Sequence, residues 1–180
     1  MAAARELLED EGLEAVTMQR VAERVGVRGP SLYKHVTDRA ALIRAIGDAV
    51  TADLGRTITD AMTGGDPASD LRSMATAYRA FVHGHPAGYG LLFASLAPDL
   101  RADPLASAEI GRPIVEATAR LDGVADPLAA ARTVVAWAHG FVSMESAGAF
   151  RLGGDVDAAY DAGIDLILAG ISGRARPASA

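Results

Sequence analysis

The chain contains no cysteine. A disulfide framework, a thiolate nucleophile and a thiolate metal site are therefore excluded, and a reducing compartment fits. Aromatic residues make up only 5% of the 180, with a single tryptophan, Trp137. Lysine is almost missing: of the 17 basic residues 16 are arginine, and the exception is Lys34. Beside 38 alanines and 19 glycines this skew reflects a GC-rich coding bias more than a chemical choice. No apolar run approaches the ~20 residues that span a bilayer, and no signal-peptide pattern opens the chain, so the expectation is a soluble cytoplasmic protein without a membrane partner. There is no H-E-x-x-H and no G-x-S-x-G, and Gly88-Tyr89-Gly90 follows no strand that would make it a phosphate loop. His83 and His85 flank Gly84 with no cluster of carboxylates or histidines around them, which reads as helix-end residues rather than metal ligands. The expectation is no enzyme, no metal and no cofactor.

What is present is helical periodicity from end to end. With 50% hydrophobic residues the chain can bury a sizeable core. A first helix over Met1–Glu11 carries Ala4, Leu7 and Leu8 on one stripe, and Gly12 should end it as a left-handed cap. Thr17 is a side-chain N-cap for a second helix whose inner face is Met18, Val21, Ala22 and Val25. Gly26 breaks that helix, and a third, short one follows with Pro30 in its first turn and Leu32 and Val36 facing inward. A fourth runs from Asp38 to about Met62, with Leu42, Ile46, Val50, Leu54 and Ile58 recurring every four residues. Asp66-Pro67, Asp103-Pro104 and Asp126-Pro127 each place an N-cap before a proline at the first helical position. The helices they open reach Gly84, about Leu121 (kinked or split at Pro113) and about Phe150; a short helix over Pro86–Ala97 and a last one over Asp155–Ile171 complete the pattern. The fold class is all-α, about nine helices: a three-helix head over 1–46, a helical body over 47–173, and a frayed tail over 174–180.

The stretch T-M-Q-R-V-A-E-R-V-G-V-R-G-P-S-L-Y-K-H-V-T-D-R-A-A-L, Thr17 to Leu42, reads as a helix-turn-helix followed by another helix. Once Leu32 and Val36 face the core, Arg28, Ser31, Tyr33, Lys34 and His35 point outward, the side-chain set that a duplex groove recognises. The net charge of −6 opposes DNA binding, but it is unevenly placed: residues 1–45 hold seven basic and seven acidic groups, whereas 46–180 hold ten against sixteen. The acids of the first helix (Glu6, Glu9, Asp10, Glu11, Glu14) must face away from phosphate, and a solvated helix face is the simplest reading.

In detail, G-V-R-G-P-S-L-Y-K-H-V followed by T-D-R-A-A-L resembles the recognition-helix signature of the TetR family of bacterial repressors, and the likeness extends over about Met1–Ile46. It implies that Arg28, Gly29, Pro30 and Lys34 face base edges, with Ser31 on the same surface, and that Thr17, Tyr33, His35 and Arg39 hold phosphates of a double-stranded operator. Family members usually carry a few further residues before the first helix, so either the start is truncated or DNA affinity rests more on Thr17, Tyr33, His35 and Arg39. In the body, W-A-H-G-F-V-S-M-E-S (Trp137–Ser146) resembles a TetR subgroup named for its Trp-His-Gly motif. That likeness implies a pocket for a small effector, with Tyr78, Phe81, Tyr89, Phe93, Trp137, His139, Phe141 and Met144 as lining candidates; a plain hydrophobic core is the competing reading of the same residues.

One recognition helix reads too few base pairs for useful specificity, so a homodimer through helices eight and nine is expected. Ala130, Ala131, Ala138, Ala147 and Gly163 would allow close approach there, with Ile164, Ile167 and Ile171 as filler. The expected function is a repressor that leaves a near-palindromic operator when a small apolar effector enters the body, with helix four carrying the signal. The alternative is a helical small-molecule-binding or enzymatic domain without DNA binding.

Overall fold

A computed structural model of the chain describes residues 1–94, 97–103 and 108–173, and for Gly29, Pro30 and Asp99 the backbone alone. Among the described residues all regular structure is helical, as expected. The helices are labelled α1 (Ala2–Glu11), α2 (Met18–Arg24), α3 (Gly29–Leu32), α4 (Arg39–Asp60), α5 (Pro67–Gly84), α6 (Pro86–Phe93), α7 (Arg112–Ala119), α8 (Pro127–Ser146) and α9 (Val156–Gly173). The chain packs as two compact units, one of Met1–Leu54 with Gly84–Glu109, the other of Gly55–His83 with Ile110–Ala180.

In the first unit α1 buries Ala4, Leu7 and Leu8, and α4 buries Leu42, Ile43, Ile46, Val50 and Leu54, none more than 4% exposed. At about 25 cal/mol per Å² this apolar stripe is the main force holding the unit. Asp38 starts α4 by accepting from the Ala41 amide at 2.7 Å. Polar bonds then fix the placement of α1: Arg5 pairs with Asp53 of α4, and the two carboxylate oxygens of Glu9 accept from the amides of Ala87 (2.9 Å) and Gly88 (2.8 Å). Glu9 thereby caps α6, whose own N-cap residue, His85, makes no side-chain cap bond. Gly88 is needed at this contact, because a Cβ there would lie 2.9 Å from Glu9 Oε1 and 3.1 Å from Val50 Cγ2.

The second unit is built from α5, α7, α8 and α9. Asp66, Asp126 and Asp155 cap α5, α8 and α9 by accepting from the amides of Ser69, Ala129 and Ala158. Tyr160 of α9 is 1% exposed and donates its hydroxyl hydrogen to the Ala75 carbonyl at 2.8 Å. Asp70, fully buried, accepts from both the amide and the hydroxyl of Thr63 at 2.8 and 2.7 Å. It also pairs with Arg120 at 3.2 Å, whose guanidinium reaches the carbonyls of Gly64 and Gly65 as well. One carboxylate thus ties the turn before α5 to the end of α7.

Several expected boundaries move, each for a local reason. Gly12 has φ 83 and ψ 176, so it is not in the left-handed helical region; it turns the chain outward into the short 3-10 turn Leu13–Ala15. The helical stretch before Leu121 is split next to Pro113, as expected: 108–110 are helical, Gly111 is a turn residue, and α7 begins at Arg112 with Pro113 in its first turn, where its missing N–H costs nothing. The expected start at Pro104 lies outside the described residues. Helix α8 stops at Ser146, short of Phe150, because Gly148 (φ 62) closes a Schellman turn in which Ala149 donates to Met144 O and Gly148 to Glu145 O, both at 2.9 Å.

The Asp70 clasp makes stability depend on pH. The Thr63 hydroxyl and amide, and then Arg120, hold the Asp70 carboxyl below the ordinary carboxylate range, against the opposing effect of burial. A group whose folded pKa is depressed contributes stability above its unfolded value and loses it as pH falls through the folded one. Melting curves followed by circular dichroism should show Asp70→Asn melting lower than wild type at pH 7, with a shallower fall of Tm below about pH 4. Identical acid limbs would mean that the clasp does not titrate with folding.

Candidate nucleic-acid interface and ligand site

The helix-turn-helix is built by two local devices. The Thr17 hydroxyl accepts from the Arg20 amide at 3.2 Å and starts α2. Gly26 (φ 69) ends it in a second Schellman turn, with Val27 donating to Ala22 O at 3.0 Å and Gly26 to Glu23 O at 3.1 Å. The recognition segment then comprises the single turn α3 and a further turn in which His35 and Val36 both donate to Leu32 O. Arg28, Ser31, Tyr33, Lys34 and His35 are all exposed, Tyr33 to 55%. Leu32 and Val36 are half-buried. Thr17 is half-buried too, and its capping role leaves its hydroxyl hydrogen free to donate. Gly29 and Pro30 lie in α3, and their expected approach to base edges falls outside what is described of them.

Arg39 has a role that the sequence did not suggest. Its Nε donates to Val16 O at 2.8 Å and its Nη2 to Leu13 O at 2.9 Å. Two of the five guanidinium N–H groups thus hold the turn that presents Thr17, and three remain, with the exposed Glu14 carboxylate as an ion-pair partner at 3.9 Å. The acids of α1 do not form a simple solvated face either. Glu11 takes Arg20 through both oxygens at 2.7 Å, Asp10 takes Arg24 at 2.6 Å, and Glu9 caps α6. The α1–α2 seam therefore neutralises both arginines of α2, leaving Arg28 and Lys34 as the cations of the recognition segment.

The eight lining candidates fall into both units. In the first, Tyr89 (6% exposed) stacks obliquely on Phe93 (60% exposed), ring centroids 4.9 Å apart. Phe93 helps to line a half-open cleft of about 360 Å³ with Gly47, Leu91, Leu92, Ala94, Leu100, Arg101 and Ala102.

In the second unit Trp137 and Phe141 of α8 meet Tyr160 of α9 at 5.0 and 5.1 Å, and Phe141 meets Phe150 at 4.8 Å. These rings fill one another's space, which favours the packed-core reading for Trp137 and Phe141. Phe81 is buried, Tyr78 and His139 are half-buried, and Met144 is 50% exposed. Below the rings Arg79 chelates Glu145, pairs with Asp157 at 2.6 Å and lies 4.9 Å over the Tyr160 ring. Glu145, and then Asp157, lift the Arg79 pKa further against the opposing effect of the guanidinium's burial; Glu145 is correspondingly depressed, chiefly by Arg79. His83 Nε2 lies 3.0 Å from the same carboxylate. Glu145 was visible in the sequence as a lone acid in an apolar helix, but nothing there paired it with Arg79, Tyr160 or Asp157. Among the described residues no helix is long and apolar enough to cross a membrane.

Known proteins carry the same two parts. A family model described as "Bacterial regulatory proteins, tetR family" matches residues 1–46, and one described as "Tetracyclin repressor-like, C-terminal domain" matches residues 71–167. The chain belongs to the TetR family, a family of DNA-binding regulators and not of enzymes. It is 36% identical over 91 residues to the uncharacterized HTH-type transcriptional regulator Rv0681 of Mycobacterium tuberculosis, covering 46% of this chain and 38% of that protein. It is 47% identical over 47 residues to the class C tetracycline repressor protein of Escherichia coli, covering 26% of this chain and 22% of that one. The matches thus span less than half the length of these curated relatives. Among solved structures, the transcriptional regulator SCO7222, a TetR from Streptomyces coelicolor, aligns over 98% of this chain and 97% of its own at 25% identity, with a TM-score of 0.71.

The Trp137 cluster imposes a strict demand on α9. A Cβ on Gly163 would lie 2.5 Å from Trp137 Cζ2, and a fused ring cannot bend aside. Gly163→Ala gains up to about 1 kcal/mol of helix propensity but overpacks a rigid contact, at a cost of about 1–3 kcal/mol. Urea titration should show net destabilisation, removed when Trp137→Leu is added. A stabilised single variant would show that Trp137 repacks freely.

Proposed function

We propose that this protein is a ligand-responsive transcriptional repressor that binds a near-palindromic operator as a homodimer and leaves it when a small apolar effector binds. The observation that carries the DNA-binding reading is the exposed set Arg28, Ser31, Tyr33, Lys34 and His35 on the segment after the Gly26 turn, within a helix-turn-helix of known family. Arg28 and Lys34 donate to guanine edges, because the neighbouring arginines of α2 are already paired with α1. Thr17, Tyr33, His35 and the three remaining donors of Arg39 hold phosphates. Gly29 and Pro30, offering little bulk, let the backbone approach the groove. The effector reading draws on the family and on the cleft beside Phe93. The aromatic candidates of the second unit support it less, since Trp137 and Phe141, though half-buried, are packed against Tyr160.

The homodimer reading rests on what α8 and α9 leave uncovered. The small and apolar residues expected at the interface are largely used within the chain: Ala130, Ala131, Ala138 and Ile164 are 6% exposed or less. A different face of the same helices is open. On α9 Ala159, Ala162, Leu166, Ala169 and Gly170 line one side, all exposed, Leu166 to 74%. On α8 Leu128 and Val135, seven residues apart and so within about 20° of each other on a helix, are 47% and 43% exposed. Contiguous apolar surface of this kind marks an association face. The partner is a second copy, which supplies the second recognition segment about 34–36 Å away.

Lys34→Ala should cost about 1–3 kcal/mol against the operator and relax specificity at one base pair. Arg39→Ala should weaken binding to all sequences and also lower Tm, because it releases Leu13 and Val16. Both are read by gel shift of DNA upstream of the protein's own gene, over a salt titration. Sedimentation should give twice the 18.5 kDa chain mass, and Leu166→Glu should give the monomer with far weaker operator binding. Wild-type DNA affinity in both head variants, or a monomeric wild-type chain, would leave a helical binding domain without this function.

A further inference from the structure

Consecutive acids of α1 reach two different helices. Glu9 accepts from the amides of Ala87 and Gly88 at the start of α6, at 2.9 and 2.8 Å. Asp10 takes Arg24 of α2 at 2.6 Å, and Glu11 takes Arg20 of α2 through both oxygens at 2.7 Å. Successive residues of a helix rise ~1.5 Å and turn by about 100°. Both sets of bonds therefore spring from roughly 3 Å of one rod. Within that compact unit, α1 cannot slide or turn to follow α6 without carrying α2 with it.

The link has little slack. A Cβ on Gly88 would lie 2.9 Å from Glu9 Oε1 and 3.1 Å from Val50 Cγ2 of α4, so α6 already stands at closest approach to both helices. The Ala87 and Gly88 amides belong to the first turn of α6, where no carbonyl of the helix itself can take them. His85 makes no side-chain cap bond, so Glu9 is what holds them. On the other side, Arg24 also lies 3.9 Å from Glu6 and from Glu11, which joins the α1–α2 pairs into one network. The turn between α1 and α2 is fixed as well, because Arg39 holds the Leu13 and Val16 carbonyls. A movement of α1 is therefore passed on rather than absorbed.

We propose that Glu9 is a positioning residue for DNA binding: through α1 it makes the placement of α6 and the placement of α2 depend on each other. The proposal rests on the regulator reading above. DNA that fixes α2 through Thr17 and the recognition segment also fixes α1, and Glu9 then keeps its hold on the α6 amides for a larger share of the time. Coupling of this kind is reciprocal. Whatever shifts α6 changes DNA affinity without touching DNA. Each exposed ion pair adds little stability, so the effect is read amide by amide, where exchange reports local opening.

Amide hydrogen exchange of the full chain, resolved by NMR, tests the link with and without DNA. In the DNA-free chain, Arg20→Gln combined with Arg24→Gln should speed exchange of the Ala87 and Gly88 amides about threefold or more. The Thr63 amide, held by Asp70 in the other unit, should keep its wild-type rate, which separates loosening along α1 from global unfolding. Upstream DNA should slow the Ala87 and Gly88 amides of wild type about threefold or more. The same DNA should slow them far less in Glu9→Gln, whose side chain offers one acceptor oxygen in place of two. Unchanged Ala87 and Gly88 exchange in the arginine variant overturns the proposal, as does equal acceleration at Thr63. So does DNA binding that leaves the two amides as they were, or slows them equally in Glu9→Gln. Absence of DNA binding, with the arginine effect intact, removes the regulator and keeps the link from α6 through α1 to α2.

Discussion

Within the first unit the placement of α6 depends on a single carboxylate set where two orphan amides need it. A helix as short as α6 has little stability of its own, since nucleation is costly and eight residues return few internal bonds. Glu9 supplies what His85 does not, and with a full negative charge at the positive end of the helix. This contact, together with the bond from the Asp103 amide to Asp48, joins the Gly84–Glu109 segment to the unit that carries the helix-turn-helix. Gly88 and the packing of Val50 follow from it, because the carboxylate must come within hydrogen-bonding distance of the α6 backbone.

Charge in the head is organised by pairing rather than by excess. A net charge of −6 opposes a polyanionic partner, and the acids of α1 add to that charge. In the folded chain those acids are the counter-ions of Arg20 and Arg24. They orient α2 against α1 and leave the outward cations where α3 begins and ends. Such exposed pairs add little stability each, so their main effect is on which positive charges stay available. Arg39 follows the same logic with carbonyls in place of carboxylates.

Much of the fold was legible in the sequence because its signals are local. Asp38, Asp66, Asp126 and Asp155 cap helices as their positions imply, Thr17 does so for α2, and the α4 stripe is buried residue by residue. The misplaced boundaries come from turns whose geometry depends on a backbone conformation that the residue type only permits. Gly148 stops α8 early by adopting positive φ, whereas Gly140, in the same helix, does not interrupt it. The candidate sites were less legible. Exposure of Arg28 and Lys34 follows from helical spacing, but the Arg39 bonds, the Glu9 cap and the Arg79–Glu145–Asp157 network join residues far apart in the chain. No periodicity encodes such pairs. The aromatic candidates were chosen by type and helix face; whether a ring lines a space or fills it depends on its neighbours, and Tyr160 and Phe150 fill the space beside Phe141.

The contact between Gly163 and Trp137 restricts how this chain can change over time. A side chain at 163 is tolerated only after the ring at 137 has shrunk, and shrinking that ring first opens a void against Tyr160. Either order passes through a less stable intermediate. Such a pair drifts slowly, and it tends to change only in a background with stability to spare. The indole is therefore held in place by a neighbour's missing atom as much as by anything it does itself.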